Sequence, residues 1–111
     1  MGKLWVAIDY VYIENLDEED EKRMGLGGEP PHESAFDNTG DLYRACMKEY
    51  GRCTSYVYVD GKDGKPKKIG WVFVKKAPNG EKGVQQTWVS VFSTPPRRVN
   101  EWQGGEYAKI G

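Results

Sequence analysis

Apolar and polar positions alternate most clearly between Tyr56 and Phe92. There, three runs of β-forming residues, Tyr56-Val57-Tyr58-Val59, Ile69 to Val74 and Thr87 to Phe92, are separated by turn-rich links. A period of two over such lengths predicts strands. The first link, Asp60-Gly61-Lys62-Asp63-Gly64-Lys65-Pro66, holds two Asp-Gly reversal signals; Pro78-Asn79-Gly80 marks the second, and Pro95-Pro96 stops the last run. The three strands therefore read as an antiparallel meander. Leu4 to Ile13 predicts a further strand, free of Gly and Pro, with Leu4, Val6, Ile8, Tyr10 and Tyr12 on one side and Trp5, Ala7, Asp9, Val11 and Ile13 on the other. Neither side is polar throughout, which places this strand inside the sheet or under cover on both faces.

Between the first strand and the meander the period lengthens. Leu42, Ala45, Cys46 and Tyr50 share one helical face, widened by Tyr43 and Met47. Asn38 or Thr39 can cap the start of that helix, Asp41 suits its first turn, and Gly51 lies just past its end. About three turns cannot persist in isolation, so the apolar face must be buried on the sheet. The expected fold is α+β: one short helix packed on a four-stranded, mainly antiparallel sheet in the order β-α-β-β-β. Residues 16–38 are expected to be largely loop. The acidic run Asp17 to Glu21 repels itself, and Gly25, Gly27, Gly28, Pro30 and Pro31 disfavour compact order, so Leu16 to Glu33 reads as a mobile segment. One domain over residues 1–96 and a tail over 97–111, docked through Trp102 and Tyr107 or loose, complete the organisation.

Sorting the meander by strand period yields two sets. Val57, Val59, Val72, Val74, Val89 and Val91 form one, suited to receive the helix. Tyr56, Tyr58, Ile69, Trp71, Phe73, Trp88 and Phe92, with Ser90 among them, form the other. The aromatic set has no obvious lid. It is covered by the first strand, the long loop, the tail or a second copy, or part of it stays open to another macromolecule. On the open reading Tyr58, Trp71, Phe73 and Trp88 are the candidate anchors for a protein partner.

Composition narrows the classes. A chain of 111 residues with 38% hydrophobic content supports one core. Its net charge of −1 hides an asymmetry, because residues 1–50 carry five Lys/Arg against twelve Asp/Glu, and residues 51–111 carry eleven against five. The two halves can complement each other within one fold, or the second can offer a basic face to an anion. Lys67, Lys68, Lys75 and Lys76, joined by Arg97 and Arg98, make single-stranded nucleic-acid binding a second reading, with sheet aromatics stacking on bases. A structural homo-oligomer is a third.

No apolar run is long enough to span a bilayer, and the first residues lack the pattern of a signal peptide, so a cytoplasmic location without membrane contact is expected. Cys46 and Cys53 lack zinc-site spacing and read as reduced thiols, Cys46 in the core. Phosphate-binding, nucleophile-elbow and zinc-protease motifs are absent. The acidic run lacks calcium-loop spacing, and His32, beside Pro31, reads as a solvated loop residue. The expectation is a non-enzyme with no catalytic residue, cofactor or metal.

The strings Leu42-Tyr43-Arg44-Ala45-Cys46-Met47-Lys48-Glu49-Tyr50-Gly51-Arg52-Cys53, Ile69-Gly70-Trp71-Val72-Phe73-Val74-Lys75-Lys76 and Gln86-Thr87-Trp88-Val89 resemble those of a family of small proteins encoded by mycobacteriophages and related actinobacterial phages. The resemblance covers about residues 4–14 and 42–92, leaving out Leu16 to Asn38 and the tail beyond Thr94. It carries no assigned chemistry and lends no residue a role. What it implies is context: a phage accessory protein in a bacterial cytoplasm that binds a host or phage protein and interferes with a host process or with defence.

Overall fold

The computed structural model describes residues 2–14, 22–77, 82–95 and 107–109; the acidic run Asp17 to Glu21, Arg97, Arg98 and Trp102 lie outside them. The elements are β1 (Trp5–Glu14), β2 (Lys22–Glu33), α1 (Thr39–Tyr50), β3 (Arg52–Asp60), β4 (Pro66–Lys76), β5 (Val84–Phe92) and β6 (Tyr107–Lys109). All strands join one sheet in the order β2-β1-β5-β4-β3-β6, and every neighbouring pair is antiparallel. Among the described residues, the α+β class and one helix on an antiparallel sheet follow the sequence expectation, whereas the sheet has six strands rather than four. No described helix is long and apolar enough to cross a membrane.

The first additional strand, β2, occupies much of the stretch read as mobile loop. Charge and glycine content describe the segment in isolation, but main-chain pairing with β1 does not depend on side chains. The strand follows β1 with two register shifts and takes a positive φ of 96° at Gly27. Pro30 and Pro31 are tolerated because β2 is an edge strand. The second addition, β6, pairs Tyr107, Ala108 and Lys109 with Val59, Tyr58 and Val57, so these three residues of the tail are held through their backbone.

Helix α1 starts where Asn38 Oδ1 accepts the Asp41 amide at 2.9 Å. It stops at Gly51, whose φ of 100° suits glycine and whose N–H donates to the Met47 carbonyl at 3.1 Å. A Cβ at Gly51 would fall 2.4 Å from the Val74 carbonyl oxygen, so the helix end lies hard against β4.

The register of β4 and β5 corrects the sorting of the meander. Trp71 pairs with Val89 and Val72 with Trp88, so the aromatics of β4 share a face with the valines of β5. Each strand's alternation is as read, but the phase between the two is set by their connection, and a slip of one residue exchanges the faces. The helix therefore packs on Trp71, Phe73, Val89, Val6 and Ile8, to which it contributes Leu42 and Cys46. Aromatics from α1 meet those of β4: Tyr43 lies edge-on to Trp71 with ring centroids 5.2 Å apart, and Tyr43 and Tyr50 lie 5.9 and 6.3 Å from Phe73.

The opposite face sets Trp5 across from Phe92, Ala7 across from Ser90, and Asp9 across from Trp88. Gly70 adjoins Ser90, and a Cβ there would lie 1.8 Å from the Val89 carbonyl oxygen, so only glycine lets β4 and β5 approach this closely. Ala7, Val57, Val72 and Ser90 are all buried, so the centre of this face is not an open platform either.

Candidate binding groove at the start of the helix

The four aromatics expected to form one exposed patch are dispersed. Trp71 is 8% exposed and Phe73 fully buried, both under α1, which corrects their reading as surface anchors. Trp88 is half-buried on the other face, with Nε1 donating to Gln86 Oε1 at 2.6 Å. Tyr58 is half-buried on β3, in register with Lys68. The lysine set is divided too. Lys67 and Lys68 stand at one end of β4 and Lys75 and Lys76 at the other, about 30 Å away at the rise of an extended strand. Lys75 Nζ donates to the Glu49 carbonyl at the end of α1, at 3.2 Å. That arrangement satisfies an otherwise open helix-terminal acceptor.

Lys67 and Lys68 instead border a groove of about 830 Å³ where the sheet extends past the first turn of α1. Leu4, Ile69, Trp71 and Val91 line it with apolar surface, Thr39 closes one side, and Lys62 reaches it from the β3–β4 turn. That turn is tied internally. Gly61 N–H donates to Lys65 O at 2.8 Å, Gly64 N–H to Gly61 O at 3.0 Å, and Asp63 Oδ1 accepts the Lys65 amide at 3.0 Å. The Asp63 carboxylate thus serves the turn. Lys68 Nζ sits 4.2 Å from the centroid of the Tyr56 ring, a cation–π contact that holds its stem along β3. Among the described residues the groove lining contains no Asp or Glu, and no ion pair engages Lys62, Lys67 or Lys68. An apolar floor with an uncompensated basic rim suits an anion that also carries an apolar group.

Sequence reasoning found Lys67 and Lys68 but missed Lys62, Leu4, Ile69 and Val91 as parts of one site. The only local signal is the basic spacing of Lys62, Lys65, Lys67 and Lys68; Leu4 and Val91 arrive from strands that neighbour β4 only after folding.

A smaller cavity of about 380 Å³ lies between α1 and β2, lined in part by Ile8, Glu29, His32, Leu42, Cys46 and Tyr50. Here the Tyr10 hydroxyl donates to Glu29 Oε2 at 2.5 Å, and burial, then this bond, raises the Tyr10 pKa far above the usual phenol range. His32, on a strand and half-buried rather than in a solvated loop, has Nδ1 2.9 Å from Pro30 O and Nε2 3.8 Å from Glu29 Oε1. Burial pushes the Cys46 thiol up to about 11, so it stays protonated and a poor nucleophile at neutral pH. Cys53, also free, donates to Ser55 O at 3.4 Å. No group of three or more His, Cys, Asp or Glu among the described residues is placed to hold a metal ion. These contacts fasten β2 to β1 beside the helix, a structural task. Compared with protein-family models, curated proteins and solved structures, the chain matches none.

Proposed function

We propose that this chain is a non-enzymatic binding protein, of the phage accessory kind that its resemblance implies, and that it takes an acidic segment of a protein partner in the groove at the start of α1. The observation that supports this is the union of Leu4, Ile69, Trp71 and Val91 with Lys62, Lys67 and Lys68 in a lining whose described residues include no carboxylate. An acidic residue of the partner meets a lysine while a neighbouring apolar side chain covers the floor, which joins electrostatic steering to hydrophobic burial. Single-stranded nucleic acid is less well served. Stacking needs open ring faces, whereas Trp71 and Phe73 lie in the core and Lys68 sits over Tyr56.

Titration of the labelled chain with short acidic-apolar peptides, and with oligonucleotides of equal charge, tests the reading. Peptides are expected to shift the resonances of Lys67, Lys68, Ile69 and the Trp71 indole. Lys67→Glu with Lys68→Glu should weaken that binding by about tenfold or more, roughly 1.4 kcal/mol. Oligonucleotide binding with no response to any peptide would replace the proposal with the nucleic-acid reading.

A further inference from the structure

The slot between α1 and β2 has the opposite chemistry to the basic groove. Its volume of about 380 Å³ falls within the range of small-molecule sites, about 300–1,000 Å³. Val6 and Ile8 of β1, Val89 of β5 and Leu42 of α1 give it an apolar floor. On the helix side Ala45 leaves beside Leu42 and Cys46 a space that a larger residue would fill. Glu29 and Glu33 enter from β2 and Glu49 from α1, so carboxylates stand on both walls, and no Lys or Arg is among the described residues of the lining.

The fold does not use up these groups. Glu33 and Glu49 are exposed and form no ion pair among the described residues. Glu29 is positioned by the Tyr10 hydroxyl on Oε2, while its Oε1 lies 3.8 Å from His32 Nε2, beyond hydrogen-bond length. Cys46, in the wall of the same slot, is only 6% exposed, and its thiol has no hydrogen-bond partner among the described residues. It is a buried polar group left available as a weak acceptor. A hydrated metal ion would leave the apolar floor uncovered, and among the described residues no three His, Cys, Asp or Glu are grouped to hold one. A cation on an apolar body satisfies floor and rim together. We infer that the slot binds a small organic ammonium ion, primary or quaternary. Its charge lies between Glu33 and Glu49, and its apolar part lies over Ile8 and Val89. The Tyr50 ring, which also lines the slot, adds cation–π attraction. This site stands apart from the acidic-partner reading, in a different cavity and for a ligand of the opposite charge.

Titration of the full labelled chain with phenethylammonium and benzyltrimethylammonium tests this, with phenethyl alcohol and phenylacetate as neutral and anionic controls. Both ammonium ions are expected to shift the resonances of Ile8, Ala45 and Tyr50 and to leave those of Lys67 and Lys68 in place. The alcohol should bind several-fold more weakly and phenylacetate not at all. Glu33→Gln with Glu49→Gln, at exposed positions outside the core, should weaken the ammonium ions about fivefold, the expected sum of two exposed charge pairs. Ala45→Leu, which fills the slot, should abolish binding while keeping the unfolding midpoint of the wild type; the Gln pair keeps the test decisive if the filled variant does not fold. No shift with either ammonium ion overturns the inference, as does an alcohol that binds equally well or a Gln pair that binds like the wild type. Shifts confined to Glu33 and Glu49, with none at Ile8 or Ala45, show counterion pairing at the surface and overturn it too. Acidic peptides report on the other groove, so none of these results bears on the reading given for it.

Discussion

Trp71 and Trp88 differ in environment by one step of register. Both sit on strands with large side chains at alternate positions, yet Trp71 lies under α1 against Tyr43, and Trp88 looks out from the other face with its indole N–H bound to Gln86. Trp71→Ala should therefore cost about 3–5 kcal/mol, as expected for a core aromatic, and Trp88→Ala clearly less; denaturant unfolding of the two variants gives the comparison. Cys46 makes a pH-dependent prediction. Its folded pKa is raised from 9.0 to about 11 by burial, so the thiol stays protonated in the folded chain while that of the unfolded chain ionises. The stability it contributes is whole below pH 9 and is lost as pH rises from 9 toward 11, on the order of 2 kcal/mol. Denaturation midpoints measured across that range should fall, and Cys46→Ala should flatten the part of the decline that this thiol causes.

At the level of elements, those with strong local signals were legible and those made by pairing were not. The helix shows its N-cap, first-turn acid and terminal glycine in sequence, and each is used: Asn38 accepts the Asp41 amide, and Gly51 closes the end. Asn38→Ala should cost about 1 kcal/mol of stability, read from thermal or denaturant unfolding. The Asn38 amide, then Arg44, holds the Asp41 carboxyl below its ordinary range, so those two contacts, unlike the cap bond to the Asp41 amide, weaken as pH drops below the usual carboxylate range. Strand β2 was not legible because Gly25, Gly27, Gly28, Pro30 and Pro31 argue against order taken alone, and what holds them is the backbone of β1. The division of the meander into faces failed for the same reason. Alternation within Ile69 to Val74 or Thr87 to Phe92 is visible in each run, but that Trp71 meets Val89 is a property of two strands together.

For the whole molecule, the site escaped detection because its parts are scattered along the chain: Leu4 before β1, Lys62 in the β3–β4 turn, Lys67 and Lys68 on β4, Val91 on β5. Alternation of strands, an excess of lysine and an excess of acid were each visible, but only the topology separates Lys67 and Lys68 from Lys75 and Lys76 and sets the first pair beside an apolar floor. Binding of an acidic-apolar peptide should weaken as salt is raised but keep a residual, salt-resistant part from the floor. Affinity measured at low and high ionic strength distinguishes these contributions.

The place of β1 in the sheet has a consequence for how the chain is made. β1 precedes the other described strands in the chain, and on one side it pairs with β2, the next strand. On its other side Trp5 meets Phe92, and Val6 meets Val91. The β1–β2 hairpin must therefore wait, with one rim and its apolar residues unpaired, until β5 has been synthesised. Pairings so distant in sequence form slowly, and during that interval the nascent hairpin is the part of the molecule most exposed to chaperones and to other unfinished chains.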